Sequence, residues 1–176
     1  MKKLCDVFAN PARLALFLAL ASMGALAFAL TMEYAFNKLP CHLCYLQRQP
    51  YKFAIVLALL ALVSSKKAPR LAVPFLLLTG LCFLVDMAIA GFHFGTEMKW
   101  WPLASGCGGE GASPPLGSSV EELKRYLENR PIVRCDVPGW VFLGISMTGW
   151  NFIYATGLAL TTFYFTLKGR CHGKKA

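Results

Sequence analysis

Long apolar segments dominate this chain of 176 residues and restrict it to folds that a lipid bilayer can hold. A transmembrane helix needs about 20 residues, because each residue adds about 1.5 Å along the axis. Four segments reach this length, at about 14–36, 45–63, 71–94 and 140–167. We therefore predict one all-α integral membrane domain over residues 1–176, built as a four-helix transmembrane bundle.

The composition supports a membrane protein and argues against a nucleic-acid partner. Hydrophobic residues make up 56% of the chain and charged residues only 15%, whereas soluble domains carry about 25% charged residues. The formal net charge of +9 could suggest nucleic acid. However, the cations cluster beside the apolar segments, as topology signals do.

The second segment permits two interpretations, a membrane span or a buried core helix. Its unbroken apolar part, 53–63, has a length that also suits a buried core helix. Extending it back to Tyr45 adds Arg48 and Lys52 and gives a spanning length. The long side chains of these cations can reach the interface.

Positive charge at three places orients the bundle. With four spans, both chain ends and the turn after the second segment lie on one side, and the positive-inside rule makes that side cytoplasmic. Loops at about 37–44 and 95–139 are then periplasmic, as in a bacterial inner-membrane protein. Cleavage of the first segment as a signal peptide is an alternative that leaves both loops outside. The cations are Lys2, Lys3, Arg13, Lys66, Lys67, Arg70, Lys168, Arg170, Lys174 and Lys175.

The second loop contains a predicted short helix. Residues 106–119 are rich in Gly, Ser and Pro and indicate a flexible loop. Ser118 and Ser119, each followed three residues later by a glutamate, can cap a helix that ends at Pro131. Its apolar face predicts an amphipathic helix on the membrane surface, and a solvated helix is the alternative. That face carries Val120, Leu123 and Leu127.

Four of the seven cysteines fall in the two predicted periplasmic loops. Cys41 and Cys44 lie in the first loop, and Cys107 and Cys135 lie in the second. Thiols meet an oxidising environment on that side of a bacterial membrane. Two dithiol–disulfide couples on one side suggest a relay for electrons. We assign no mechanistic role to the remaining cysteines, Cys5, Cys82 and Cys171.

The first pair forms a C-x-x-C motif, which zinc sites and redox sites both use. A zinc site needs about four ligands, and the other external cysteines and histidines are scattered, so we predict no metal. Cys44 begins the second segment, where a helix N-terminus stabilises a thiolate. Arg48 shares its face four residues later, although an interfacial anchor is an alternative role for this cation. A stabilised thiolate makes the disulfide a stronger oxidant.

The second pair permits two interpretations. A Cys107–Cys135 disulfide would stabilise the fold by roughly 3.5 kcal/mol in the chain-entropy model, so a structural staple is one. The other is redox exchange, because Cys107 lies in Ser-Gly-Cys-Gly-Gly, an accessible setting for attack by another protein's thiolate.

Several blocks stand out between Pro40 and Asn151. They are Pro40–Cys44, Gln47–Tyr51, Phe92–Gly95 with Glu97, Trp100–Pro102, Arg134–Asp136 with Pro138, Phe142–Met147 and Gly149–Asn151. Together these blocks resemble the disulfide-bond formation protein B (DsbB) family. The first segment and the tail match it in hydropathy alone. His42, between the first two cysteines, departs from the commonest family choice. As an imidazolium it would stabilise a thiolate at Cys41 or Cys44, which predicts a pH dependence near the titration of histidine that His42→Ala should remove.

The resemblance implies a quinone-dependent thiol oxidoreductase. Such a protein re-oxidises a periplasmic thioredoxin-like thiol oxidase (DsbA-like) and passes two electrons to a membrane quinone, either ubiquinone or menaquinone. By position, the partner's thiolate attacks Cys107 of a Cys107–Cys135 disulfide. Cys135 then attacks Cys41, and Cys44 is released as a thiolate beside the quinone.

The resemblance also implies polar residues around the quinone. Arg48 would stabilise both the Cys44 thiolate and an anionic quinone oxygen. His93 would bond a ring oxygen or relay a proton, and a histidine bonded only to backbone is the alternative. Asp86 lies inside the third segment, where a carboxyl group is a functional hypothesis. It could pair with Arg48 or Lys52, take a quinone proton, or lie near the outer interface.

Two rival functions are open to a chain of this kind. A non-enzymatic membrane scaffold would use the second loop only as a stapled structure. A protein that delivers reductant outward would need cysteines within the spans, and only Cys82 lies there. Within the fourth segment, Gly144, Ser146 and Gly149 predict close helix contact.

Overall fold

The computed structural model describes residues 8, 10–101, 119 and 134–172. Helices dominate it, which confirms the predicted all-α membrane fold. The helices α1, α2 and α3 are each long and apolar enough to cross a membrane. The elements are α1 Pro11–Tyr34, α2 His42–Lys67, α3 Pro69–Glu97, β1 Val141–Phe142, β2 Ile145–Ser146 and α4 Met147–His172.

The helices pack as a bundle in which α3 contacts both α2 and α4, and α1 lies mainly on α2. Small residues line the α2 side of the core at helical spacing, with Ala54, Ala58 and Ala61 fully buried. Such residues let helix backbones approach closely, which matters because lipid provides no hydrophobic driving force for helix association. Large apolar side chains such as Phe53, Val63 and Leu160 instead point outward, as a lipid environment permits.

The helix α2 begins at His42, three residues before the predicted start, with Cys41 as its N-cap residue. Cys44 therefore lies in the first turn of the helix. Pro50 is within α2 without ending it. This start places the C-x-x-C motif at the positive end of the helix dipole.

The predicted start of the fourth span at residue 140 is wrong, because a β-hairpin precedes the helix. Val141 pairs with Ser146 and Phe142 with Ile145 in antiparallel register. Leu143 and Gly144 form its two-residue turn with φ of 53° and 79°, the left-handed geometry that such hairpins favour. Hydropathy cannot distinguish short apolar strands from the start of an apolar helix.

The three small residues predicted to allow close helix contact lie in three different parts of the structure. Gly144 lies in the turn with open space around it, so its predicted contact is wrong. Ser146 lies in β2, outside the helix. Gly149 confirms the prediction, because a Cβ atom there would lie only 2.9 Å from the Phe94 ring.

Some predictions fall outside the described residues. These are the flexible loop, the amphipathic helix between Ser118 and Pro131, and the positions of Cys5 and Cys107. The pairing of Cys107 with Cys135 therefore stays a prediction.

Candidate thiol–disulfide site

The C-x-x-C pair forms the centre of the site. The Sγ atoms of Cys41 and Cys44 lie 3.2 Å apart, and the Cys41 thiol donates its hydrogen to Cys44. Cys41 is buried, whereas Cys44 is half-buried. Since a disulfide bond is about 2.05 Å long, a small movement would join the two sulfurs.

The two thiols are chemically unequal. The hydrogen bond to Cys44 and burial raise the pKa of the Cys41 thiol to about 12, and the neighbouring His93 only partly opposes this rise. Cys41 therefore keeps its proton at neutral pH. Negative charge on the pair instead falls on Cys44, which accepts the hydrogen bond and lies at the helix N-terminus.

We expect this inequality to appear in the alkylation of the reduced protein. The rate at Cys41 should rise about tenfold per pH unit at neutral to mildly alkaline pH, because only the thiolate reacts and its pKa is about 12. Cys44 should react faster throughout. Peptide mass spectrometry after timed iodoacetamide treatment measures both rates. In Cys44→Ala, which lacks the acceptor, Cys41 should react faster at every pH; an unchanged rate would contradict the assignment.

Cys135 joins the first pair in space. Its side chain is buried and packs in one cluster with Cys41 and Leu43, and Cys44 lies against this cluster. Three of the four cysteines predicted to be catalytic are therefore brought together. Their contact was not predictable from spacing, because the second loop separates Cys135 from the motif in sequence.

An ion pair holds the chain on either side of Cys135. Arg134 donates from Nε and Nη2 to the two carboxylate oxygens of Asp136, over 2.9 and 2.6 Å. The hydrogen bonds from Arg134 lower the pKa of the Asp136 carboxyl. This bidentate contact closes a tight loop around the buried cysteine.

A cavity of about 470 Å³ opens beside the cysteines. Residues from all four helices line it, and most of its surface is apolar. Both Cys41 and Cys44 line the cavity, as do the polar side chains of Gln47, Arg48 and His93. The arrangement is that of a pocket for a small, largely apolar molecule with a few orienting polar groups.

Arg48 lines this cavity together with Cys44, as their shared helix face predicts. Its Nη1 lies 2.5 Å from a carboxylate oxygen of Glu33, and both side chains are largely buried. Its guanidinium also lies 5.1 Å from the centre of the Tyr45 ring. Glu33 was not among the residues predicted from the sequence. An acidic residue in the last turn of the apolar helix α1 is the sequence feature that could have identified Glu33 as functional.

His93 lies between the cysteines and a polar side chain. Its Nε2 atom is 3.6 Å from the Cys41 Sγ atom. Its Nδ1 atom is 2.8 Å from Nε2 of Gln47. The imidazole is almost fully buried, and each of its ring nitrogens faces a side chain. The alternative of a histidine bonded only to backbone is therefore wrong.

Glu97 fastens the hairpin to the end of α3. It accepts a hydrogen bond from Ser146, and a second from Thr148 over 2.9 Å. Its Oε1 atom lies 3.9 Å from Nε2 of His93. The resemblance included Glu97 as a matching residue, but its contact with Ser146 depends on the hairpin, which hydropathy did not predict.

Asp86 is fully buried, and of the alternatives left open for it, pairing with Arg48 or Lys52 is wrong. Arg48 pairs with Glu33, and Lys52 is exposed. Asp86 Oδ2 instead accepts a hydrogen bond from Asn151 over 3.0 Å. Its Oδ1 atom has no hydrogen-bond partner within the described part of the chain. The relative rotation of α2 and α3, which spacing does not reveal, decides which side chains meet.

The same residues include a candidate ligand set. The ligand atoms of Cys41, Cys44 and His93 lie within 4.8 Å of one another and could hold a metal ion. A metal would need the lone pair of His93 Nε2, which only one tautomer of neutral imidazole offers. The absence of a metal stays a prediction.

Comparison with known proteins identifies the family. The family model described as Disulfide bond formation protein DsbB matches residues 11–165. Two relatives named Disulfide bond formation protein B come from Xanthomonas campestris pv. campestris (strain 8004) and Polaromonas sp. (strain JS666). The first is 32% identical over 158 residues, covering 86% of this chain and 87% of its own. The second is 25% identical over 166 residues, covering 86% and 88%. No solved structure matches the chain significantly. The family match spans most of the chain, including the C-x-x-C motif and Cys135, and the chain therefore belongs to the disulfide bond formation protein B family.

Proposed function

We propose that this protein re-oxidises a DsbA-like periplasmic thiol oxidase and passes the electrons to a membrane quinone. Its family supports the coarser statement, a disulfide-forming oxidoreductase in the membrane. The observation that carries the finer proposal is the position of the dithiol. Cys41 and Cys44 line a largely apolar cavity within a bundle of membrane helices, where a lipid-soluble acceptor can reach them.

The cavity suits a quinone ring. Its volume of about 470 Å³ falls in the range of small-molecule pockets. Small residues of α1, including Gly24, Ala25 and Ala29, leave room for a flat ring along one wall. A quinone, when bound, supplies an acceptor for two electrons and two protons. Arg48 would hold an anionic oxygen, and His93 would bond an oxygen or sulfur at the opposite side.

The thiol steps need only exchange between sulfurs. The partner's thiolate attacks Cys107 in the predicted Cys107–Cys135 disulfide and frees Cys135. The Cys135 thiolate then attacks Cys41, forming one S–S bond while the Cys41–Cys44 bond breaks. The packing of Cys135 against Cys41 supports this step. Cys44 leaves as the thiolate, because it lies at the helix N-terminus and faces the cavity. The partner's second thiolate then closes the partner's own disulfide and releases Cys107. The Cys107 thiolate attacks Cys135, which re-forms Cys107–Cys135 and frees Cys41.

Re-oxidation of the first pair completes the cycle. Forming the Cys41–Cys44 disulfide from two thiols releases two electrons and two protons, which matches the capacity of one quinone. Cys41 enters this step protonated, and its thiol already donates to Cys44. The proton lost by Cys41 therefore has a short path to the sulfur that faces the cavity.

The proposal places both chain ends in the cytoplasm and the cysteine pairs in the periplasm. We expect a bilayer-impermeant maleimide to label Cys41, Cys44, Cys107 or Cys135 in intact cells after mild reduction. Peptide mapping identifies the labelled positions, and Cys5 and Cys171 serve as internal controls that should react only after lysis. Labelling of the C-x-x-C motif solely after lysis would overturn the orientation.

A reconstituted assay tests the function directly. Purified protein in detergent, a reduced thioredoxin-like oxidase and a water-soluble quinone should give one quinol per partner disulfide formed. Quinone absorbance and thiol titration measure the two products. A scaffold without redox activity predicts no quinone loss above the rate without protein, and that result would refute the proposal.

A further inference from the structure

A chain of side-chain hydrogen bonds connects a buried carboxyl group to the redox cysteines. Asn151 Nδ2 donates to Asp86 Oδ2 over 3.0 Å and to Gln47 Oε1 over 2.8 Å. The other end of the Gln47 amide lies 2.8 Å from His93 Nδ1. The far side of the imidazole, Nε2, faces Cys41 Sγ at 3.6 Å.

Each hydrogen bond of this chain runs in a fixed donor-to-acceptor direction, which the carboxyl group of Asp86 sets. An ionised carboxylate can only accept hydrogen bonds, so Asn151 must turn its NH₂ group toward Asp86. In a neutral Asp86 the proton can reside on Oδ1, the oxygen without a partner in the described structure, and Oδ2 still accepts. Tyr51 favours the same amide orientation, because its hydroxyl donates to Asn151 Oδ1 over 2.7 Å.

The direction continues through Gln47 to the imidazole. Since Gln47 Oε1 accepts from Asn151, the NH₂ group of Gln47 faces His93 Nδ1. An NH₂ group can only donate, so Nδ1 must be the nitrogen without hydrogen. In a neutral imidazole the hydrogen is then on Nε2.

The other groups beside His93 agree with this tautomer. Thr148 Oγ1 lies 3.4 Å from Nδ1, but its hydrogen is donated to Glu97 over 2.9 Å. Gln47, at the shorter distance, is therefore the donor to Nδ1. The Oε1 atom of Glu97 is 3.9 Å from Nε2, and a nearby carboxylate oxygen favours an N–H at that nitrogen.

We propose that Asp86 is a positioning residue that, through Asn151 and Gln47, holds neutral His93 in the tautomer with its hydrogen on Nε2. The imidazole then presents a hydrogen-bond donor to the Cys41 sulfur. The consequence for the reaction rests on the proposed function. In that reaction His93 stabilises negative charge on sulfur or on a quinone oxygen. It cannot act as the base that removes the Cys41 proton. The donor tautomer also withholds from a metal the lone pair that it would need.

The tautomer can be observed without partner or quinone, so this proposal and the proposed function fail separately. The chain has three histidines, and the variant His42→Ala/His172→Ala leaves His93 alone. Nitrogen-15 labelling of histidine, followed by NMR of the reduced protein in detergent, separates protonated from unprotonated ring nitrogens. The expected spectrum shows hydrogen on Nε2 and none on Nδ1.

Two variants, each combined with His42→Ala/His172→Ala, test the chain of hydrogen bonds. Asp86→Asn can donate as well as accept, so the reverse direction becomes available and the Nε2–H form should fall, while Tyr51 and Glu97 still favour it. Gln47→Glu offers Nδ1 only carboxylate oxygens when ionised, and should move the hydrogen to Nδ1. Thr162→Val is the control, because its buried hydroxyl bonds to Leu158 within α4, outside the chain, and the spectrum should not change.

The results decide the proposal either way. Hydrogen on Nδ1 in the parent protein, or an Nε2–H form that persists undiminished in Asp86→Asn, would overturn it. Should Asp86→Asn fail to fold, Gln47→Glu decides alone: an unchanged tautomer there would also overturn the proposal.

Discussion

Replacing Cys44 with serine is expected to reduce quinone-coupled disulfide formation by about 10³-fold or more, the scale of losing a nucleophile. Cys44 is the half-buried sulfur of the pair, lines the cavity and accepts the hydrogen bond of Cys41. A serine hydroxyl fits the position but cannot form a disulfide. The initial rate of quinone absorbance loss, with reduced partner in excess, measures the effect.

The same variant lacks the Cys41–Cys44 disulfide, so Cys41 is a lone thiol. Because Cys135 packs against Cys41, the Cys41 thiolate can attack Cys135 of the predicted Cys107–Cys135 disulfide and release the Cys107 thiol. Non-reducing peptide mapping of Cys44→Ser should therefore detect a Cys41–Cys135 disulfide. Cys82→Ser is the matched control, since Cys82 lies in α3 beside the apolar core rather than lining the cavity. Full activity in Cys44→Ser, or an equal loss in Cys82→Ser, would contradict the assigned role.

Replacing Arg48 with methionine is expected to raise the KM for quinone at least about tenfold and to destabilise the protein by about 3 kcal/mol. The first effect follows from losing the cation that lines the cavity. The second follows because Glu33, which pairs with Arg48 over 2.5 Å, would be left largely buried without a counter-charge. Quinone titration gives the KM, and thermal unfolding in detergent follows stability.

A double variant separates these two effects. Glu33→Gln/Arg48→Met removes both charges, so stability should return toward that of the parent while the KM for quinone stays high. Glu33→Gln alone leaves an uncompensated guanidinium beside the cavity and should lower the KM. If the double variant recovers the KM together with stability, Arg48 serves only to neutralise Glu33, and its proposed contact with quinone is wrong.

Much of this protein follows from local properties of the sequence. The helix count follows from the length of the apolar segments, because the bilayer sets how many residues a span needs. The C-x-x-C motif at the start of the second segment predicted thiols at a helix N-terminus, and α2 indeed begins at His42. The start of α4 was misplaced, since the apolar residues 141–146 satisfy a helix and a hairpin equally well.

The polar contacts of the site were decided only by the tertiary structure. Glu33 meets Arg48, and Asp86 meets Asn151 and not a cation. Gln47 meets His93, and Cys135 reaches Cys41 from the other loop. Each contact joins different elements, so it depends on how far one helix is rotated and shifted against its neighbour. Hydropathy is nearly the same around these helices and leaves that rotation open, whereas the packing of small residues and the pairing of buried polar groups determine it.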